Sequence, residues 1–207
     1  MKVISYNIDR NGSDPQARYK RLATQIYSYD PDIVFLHEVL EQYIGEFRHS
    51  EYNIRLGSPT VVYKSQYGSM IAYISYGVTV RTPSYTIASI HAKSGLEFDH
   101  IRQSQAYTMF NHCVRWKLPI VLVGDVNTEG DFGFFTDPRY FRELYVGSTW
   151  FSNRSNLAIN RTYSKRYDRA FCSIGFPHIK ISKLCNEPVN GIYSSDHDGI
   201  AIHIGNS

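Results

Sequence analysis

The chain has 207 residues, 43% of them apolar and 20% charged. That is enough for one domain over 1–207 with a substantial core. It has no run of about 18 apolar residues, which argues against a membrane span. The opening MKVISYNIDR has no apolar core of the kind a signal peptide needs, so an intracellular protein of nucleus or cytoplasm is expected. Its three cysteines are widely spaced with no CxxC pair, which argues against a disulfide framework or a zinc site. A net charge of +3 does not by itself call for a nucleic-acid partner, but it leaves room for a local basic groove.

In chain order, Lys2 to Tyr6 has a strand pattern and ends in Asn7, Ile8 and Asp9. Asn11-Gly12 is a turn signal. Asp14-Pro15 predicts a helix start, and Tyr19, Leu22, Ala23 and Ile26 form one apolar helical face. Ile33 to Leu36 predicts a buried strand that runs into His37 and Glu38. Residues 52 to 92 are rich in Tyr, Val, Ile, Ser and Thr and are broken by Gly and Pro. They predict several antiparallel strands, the last ending at His91. Residues 98 to 116 predict a helix with Ala106, Met109, Phe110 and Cys113 on one face.

The stretch LPIVLVGDVN, Leu118 to Asn127, is a short β-branched run bounded by Pro and Gly. It predicts a strand buried on both faces. Asp125 and Asn127 follow two apart at its carboxyl end, where open α/β sheets bind ligands. Residues 128 to 162 read as loop. Arg169 to Ser173 and Ile200 to Ile204 predict closing strands, with Ser195-Asp196-His197-Asp198 between them.

Polar residues therefore stand at six strand ends: Asn7, Glu38, His91, Asp125 with Asn127, Asp168, and Asp196 with His197. Each has a bland reading as a turn residue, a helix-end charge, a core histidine or a surface ion pair. Six such coincidences favour one shared site.

These pieces resemble the endonuclease/exonuclease/phosphatase superfamily of DNase I-like folds. SYNI, FLHEV, SIHAKS, GDVN, YDRAF and SSDHDGI occur in family order across nearly the whole chain. Within that superfamily the likeness is to the 5′-tyrosyl-DNA phosphodiesterases. It rests on Asn7-Ile8-Asp9, the Tyr29–Val39 segment, an RxxQ element at Arg102 and Gln105, and Thr149-Trp150 followed by Ser155-Asn156-Leu157. The chain departs from that group at His37, where a glutamine is usual, and at Ala92-Lys93, where Leu and Glu are usual. It also has a shorter middle region and no amino-terminal ubiquitin-binding region, so it reads as a bare catalytic domain.

The resemblance implies a four-layer α/β sandwich: two mostly antiparallel sheets packed face to face with helices outside. It implies a Mg²⁺-dependent phosphodiesterase, with Mn²⁺ as a substitute. The ion would be held by Glu38, with Asn7 beside it and Asp196 contributing through water; a cation of this kind takes few protein carboxylates and keeps several waters. Asp125 would accept a proton from the attacking water and Asn127 would orient that water. His91 and His197 would donate to the phosphoryl oxygens, with Asp168 as the partner of His197. Arg102, Gln105, Trp150 and Asn156 would contact substrate, with Trp150 as a core anchor the alternative; Arg154, Arg161, Lys165 and Arg166 lie nearby in sequence, where they would line the nucleic-acid backbone. The implied partner is DNA carrying a 5′-tyrosyl protein adduct, on single-stranded or frayed 5′ ends, acted on by a monomer. The alternatives are an abasic-site or other endonuclease or exonuclease of the same superfamily, a phosphatase acting on lipid head groups, and an inactive binding module.

Overall fold

The structure is a computed structural model and describes residues 1–11, 13–154, 163–176, 178–184, 188 and 193–205. Asn156 and Arg161, both expected at the substrate, lie outside the described residues. Along the chain come β1 (Lys2–Asn7), α1 (Pro15–Tyr27), β2 (Ile33–His37), β3 (Tyr52–Arg55) and β4 (Thr60–Lys64). There follow β5 (Ile71–Ile74), β6 (Gly77–Arg81), β7 (Thr86–His91), α2 (Asp99–Val114) and β8 (Ile120–Asp125). The rest is β9 (Phe141–Leu144), β10 (Trp150–Phe151), β11 (Ser164–Lys165), β12 (Asp168–Ser173), β13 (Ile179–Leu184) and β14 (Gly199–Ile204).

Two six-stranded sheets form, in the orders β13-β14-β1-β2-β4-β3 and β5-β6-β7-β8-β12-β9. Each has one parallel pair at its centre, β1 with β2 and β7 with β8, and is otherwise antiparallel. Parallel neighbours need a long crossover, and α1 and α2 supply the two crossovers here. The helices cover the outer faces and the inner faces pack on each other, giving the α/β/β/α layering that the sequence led us to expect.

Strand alternation explains the layers. Val3, Ile33, Phe35, Ile87, Val121 and Val123 fill the core between the sheets. Their neighbours Ile4, Tyr6, Val34 and Leu36 pack under α1 with Tyr19, Leu22, Ala23 and Ile26. Ala88, Ile90 and Leu122 pack under α2 with Ala106, Met109 and Cys113. Each Val, Leu, Ile, Phe or Met among them, fully buried, contributes roughly 1.5–3 kcal/mol. Helix α1 starts at the expected place: Asp14 Oδ1 accepts from Ala17 N at 3.3 Å and Pro15 opens the first turn.

Four strands were not foreseen: the two-residue pair β10 and β11, and two longer ones. β9 falls inside the stretch read as loop, and β13 precedes the final strand. Both are edge strands with half-exposed, alternating patterns and short apolar content, a weak signal beside turn-like neighbours.

Gly124 shows how tightly the central parallel pair is drawn together. A Cβ built there would lie 2.2 Å from the Ile90 carbonyl oxygen of β7, so the strand tolerates only hydrogen. Gly124→Ala should therefore cost roughly 1–3 kcal/mol or more, read as a lower urea midpoint at unchanged m-value. An unchanged midpoint would show that β7 and β8 separate at no cost.

Candidate active site

The alternation that builds the core between the sheets also delivers the polar cluster. On β1 the inward positions are Val3, Ser5 and Asn7; on β2 they are Ile33, Phe35 and His37. On β7 they are Ile87, Ser89 and His91, on β8 Val121, Val123 and Asp125, and on β12 Asp168, Ala170 and Cys172. Each row is apolar inside and turns polar at one pole. Because β12 runs antiparallel to β8, Asp168 stands opposite Asp125. Because β7 and β8 are parallel, His91 stands beside Asp125.

Glu38 is one residue past the inward His37 and would point to the other face if β2 simply continued. Its φ of +57° reverses the chain instead. That conformation places Glu38 Oε1 3.2 Å from Asn7 Nδ2 and 3.5 Å from His91 Nε2. A non-glycine residue held there is strained, and such strain tends to be retained at functional sites.

Asn7 joins the two sheets. Its Nδ2 donates to Glu38 and, at 3.0 Å, to Asp125 Oδ2 across the sandwich. Its Oδ1 accepts from Asp9 N at 3.1 Å, which fixes the amide's orientation. Asn7 thus stands beside Glu38, as expected, and its amide also holds two carboxylates. Ser195 ties on the remaining turn: its hydroxyl donates to Asn7 O at 2.7 Å and accepts from His197 N at 3.0 Å. Beneath them His37 is fully buried, with Nε2 3.1 Å from Ser5 Oγ and 3.2 Å from Ser89 Oγ. Burial, then His91 and His197, push its pKa well below the usual imidazole range.

His197 Nδ1 lies 2.6 Å from Asp168 Oδ2, both groups buried. Burial alone would push the imidazole down. The charge and hydrogen bond of Asp168, followed by Asp125 and Asp196, reverse this and hold its pKa up at about 10. Asp125 is pushed up by burial and then by Asp168. Asp196 is pushed up chiefly by burial, with Glu38 adding to it. Asp9 is pushed up by burial and then by Asp196.

These groups line a cleft of about 620 Å³ whose walls include the carboxylates of Asp9, Glu38, Asp125 and Asp196. Glu38, His91 and Asp125 bring one ligand atom each within 4.8 Å of one another. Carboxylates that raise each other's pKa values, with hard oxygen donors predominating, fit a divalent cation better than an empty site. Of these, Glu38, which lines the cleft, is the carboxylate placed to hold one, with Asp125 and His91 beside it.

Trp150 and the cations were expected at the substrate; the structure puts Trp150 in the cleft wall and pairs the described cations with acids. The indole is 9% exposed and its Nε1 donates to Asp196 Oδ2 at 2.7 Å. It is therefore a strut for Asp196 and at the same time part of the cleft wall. Tyr163 and Tyr167 flank it with ring centroids at 5.3 and 5.6 Å, and both line the cleft. Arg102 is buried and donates to Lys93 O, Gly95 O and Asp99, while Gln105 accepts from Lys93 N. Both have their polar ends engaged with the loop after β7. Arg154 pairs with Asp198, Lys165 with Glu129, and Arg166 with Glu143, so none of these is a free cation for a backbone phosphate. Asn127 Nδ2 donates to Ala92 O at 3.0 Å and its N–H to Asp125 Oδ1. Sequence reasoning passed over Ser195 and the two tyrosines. Nothing in a local pattern separates Tyr163 and Tyr167 from the other tyrosines.

The model of the Endonuclease/Exonuclease/phosphatase family matches residues 4–197, and the chain belongs to that family. Its fold is similar to that of truncated TDP2 from Caenorhabditis elegans, with a TM-score of 0.76 at 17% identity over 97% of this chain and 96% of that one. TDP2 of D. rerio complexed with single strand DNA product gives 0.75 at 18% identity over 98% of each chain. A mannosyl-6-phosphatase of Bacteroides thetaiotaomicron gives 0.71 at 16% identity, again over 98% of each. No curated protein matches the sequence. The chain is thus a phosphoesterase-family hydrolase with a TDP2-like catalytic fold. Among the described residues no helix is long and apolar enough to cross a membrane.

With a folded-state pKa raised from about 6.5 to about 10, protonated His197 stabilises the fold fully below pH 6.5. That contribution fades as pH rises and is gone above about 10. His197→Gln should therefore lower the melting temperature most at pH 6 and least near pH 10. In Asp168→Asn the His197 resonance, followed by NMR, should titrate well below its wild-type position. Coincident titrations in the two proteins would remove Asp168 as the group that holds the proton.

Proposed function

We propose that the protein is a Mg²⁺-dependent phosphodiesterase that hydrolyses the 5′-phosphotyrosyl bond between a protein adduct and a DNA 5′ end, leaving a 5′-phosphate. The observation that carries this reading is the cleft itself: an acidic and imidazole floor with Trp150, Tyr163 and Tyr167 in its wall. Such a wall suits the rings that flank a phosphate at a nucleic-acid terminus. The likeness to a TDP2 complexed with single strand DNA product supports the same reading.

When bound beside Glu38, the ion supplies positive charge against the phosphate's negative charge and lowers the cost of attack. The chain's own groups divide the rest. Asp125, raised by burial, accepts the proton from the attacking water. Asn127 has its amide N–H committed to Ala92 O, which leaves its oxygen to accept from that water. Protonated His197, held by Asp168, donates through Nε2 to a phosphoryl oxygen as charge builds. His91 Nε2, within 4 Å of Glu38 and Asp125, donates beside it. A tyrosine leaving group, with a conjugate-acid pKa of about 10, departs more readily than a sugar alkoxide and needs less protonation.

Turnover should be compared on 5′-phosphotyrosyl DNA, abasic duplex, a phosphoinositide and a sugar 6-phosphate, with and without Mg²⁺. The tyrosyl end should be cut fastest, with little internal nicking. Faster cutting of abasic duplex would give the site to an endonuclease.

Glu38→Gln should abolish metal-dependent turnover. Asp125→Asn and His197→Ala should each lower kcat by roughly 10²- to 10⁴-fold with little change in KM. Full kcat in both would remove the proposed acid–base pair. Trp150→Phe keeps the ring but drops the N–H to Asp196. It should slow DNA and small nitrophenyl substrates alike, whereas a loss confined to DNA would return Trp150 to a stacking role.

A further inference from the structure

The loop after β7 carries a feature that neither the fold nor the acid–base set requires. Leu96 is 88% exposed, the most exposed of the large apolar side chains among the described residues. It nevertheless sits on a rigid support. Arg102, itself buried, donates Nη1 to the Lys93 and Gly95 carbonyl oxygens at 2.9 and 2.6 Å and Nη2 to Asp99. Gln105 accepts from Lys93 N at 2.9 Å, and Gly95 turns the chain at a φ of +103°, which favours glycine. Burying a guanidinium is costly unless every contact repays it, and here its contacts fix the loop that presents Leu96. Leu96 is not covered by the described residues, so this support holds an apolar side chain open to the cleft. Leu96 and the rings of Tyr163 and Tyr167 line the same cleft.

We infer that Leu96 is a specificity-determining contact: with Tyr163 and Tyr167 it forms an apolar slot that takes the nucleobase of the nucleotide bearing the scissile phosphate. This rests on the phosphodiester reading of the cleft but not on the tyrosyl leaving group. The side of the phosphate follows from the loop's anchor. Ala92, at its start, is bound by Asn127 Nδ2, and its N–H donates to the Asp125 carbonyl. Leu96 therefore belongs to the side from which water is activated. In phosphoryl transfer the attacking and leaving oxygens lie roughly in line, so the leaving group departs from the opposite side. The ring beside Leu96 is then the one that stays with the phosphate, a base rather than the departing phenol.

The test measures binding of the reaction product's parts, in Mg²⁺, by titration calorimetry. Wild-type protein should bind thymidine 5′-phosphate more tightly than 2-deoxyribose 5-phosphate, which lacks the base. Leu96→Ser, at an exposed position and with an unchanged melting temperature, should weaken thymidine 5′-phosphate by about fivefold or more, the lower end of what a base contact contributes. Its affinity for deoxyribose 5-phosphate should stay at the wild-type value. Equal weakening of both ligands, no weakening of either, or a wild type that does not prefer the nucleotide would each overturn the inference. Because no turnover is read, a protein that fails on 5′-phosphotyrosyl DNA but shows the base preference would sink the tyrosyl assignment alone.

Discussion

The geometry of the site depends on one amide. Asn7 stands at the end of β1 in one sheet and donates both to Glu38 of its own sheet and to Asp125 of the other. Each acceptor is a carboxylate, so these are charge-assisted bonds and stronger than neutral ones. Around them the remaining parts close in sequence. Ser195 hooks the 194–197 turn onto the Asn7 carbonyl, His197 reaches Asp168, and Trp150 holds Asp196. The guanidinium of Arg18, buried under α1, adds bonds to the carbonyls of Ile8, Asp9 and Ser194 and so joins the same two segments from behind. The polar pole is in this sense one network, and hydrogen bonds linked in this way reinforce one another.

Charge is handled differently at the floor and the rim. At the floor, carboxylates are crowded until burial and mutual repulsion raise Asp125, Asp196 and Asp9, and His197 retains its proton against the desolvation cost. At the rim, the cations Arg154, Lys165 and Arg166 are paired with acids, and Arg154 also lies over the Phe151 ring at 4.0 Å. The wall of the cleft itself carries Leu96, Trp150, Tyr163 and Tyr167 and no lysine or arginine among the described residues. That fits a chain whose net charge is only +3.

Much of this was legible in the sequence because one period governs both core and site. In VISYN, IVFLH, TIASIH and IVLVGD the inward row starts apolar and ends on a polar residue that faces the same way, with Ser5 and Ser89 already polar one step earlier. Reading six strand ends as one site used that regularity. What stayed hidden lacked a local signal. The half-exposed edges β9 and β13 carry weak patterns. The inward turn of Glu38 is a backbone event that no residue type announces. Arg102 and Gln105 stood out by spacing, but whether they touch a ligand or their own loop is decided by tertiary contacts at Lys93 and Gly95. Tryptophan was expected as a wall because indoles stack, and only the position of Asp196 reveals it as a donor.

The buried contact of His37 with Ser5 and Ser89 has a mechanical consequence. Apolar side chains facing each other across a sandwich attract without preferring one alignment, since dispersion and hydrophobic burial are nearly indifferent to small lateral shifts. Hydrogen bonds are not indifferent, because they weaken steeply outside a narrow range of distance and angle. Ser5 and His37 belong to one sheet and Ser89 to the other, so an imidazole between them acts as a dowel pin. It sits one step below the level where Asn7 must meet Asp125, and there it limits how far one sheet can slip over the other.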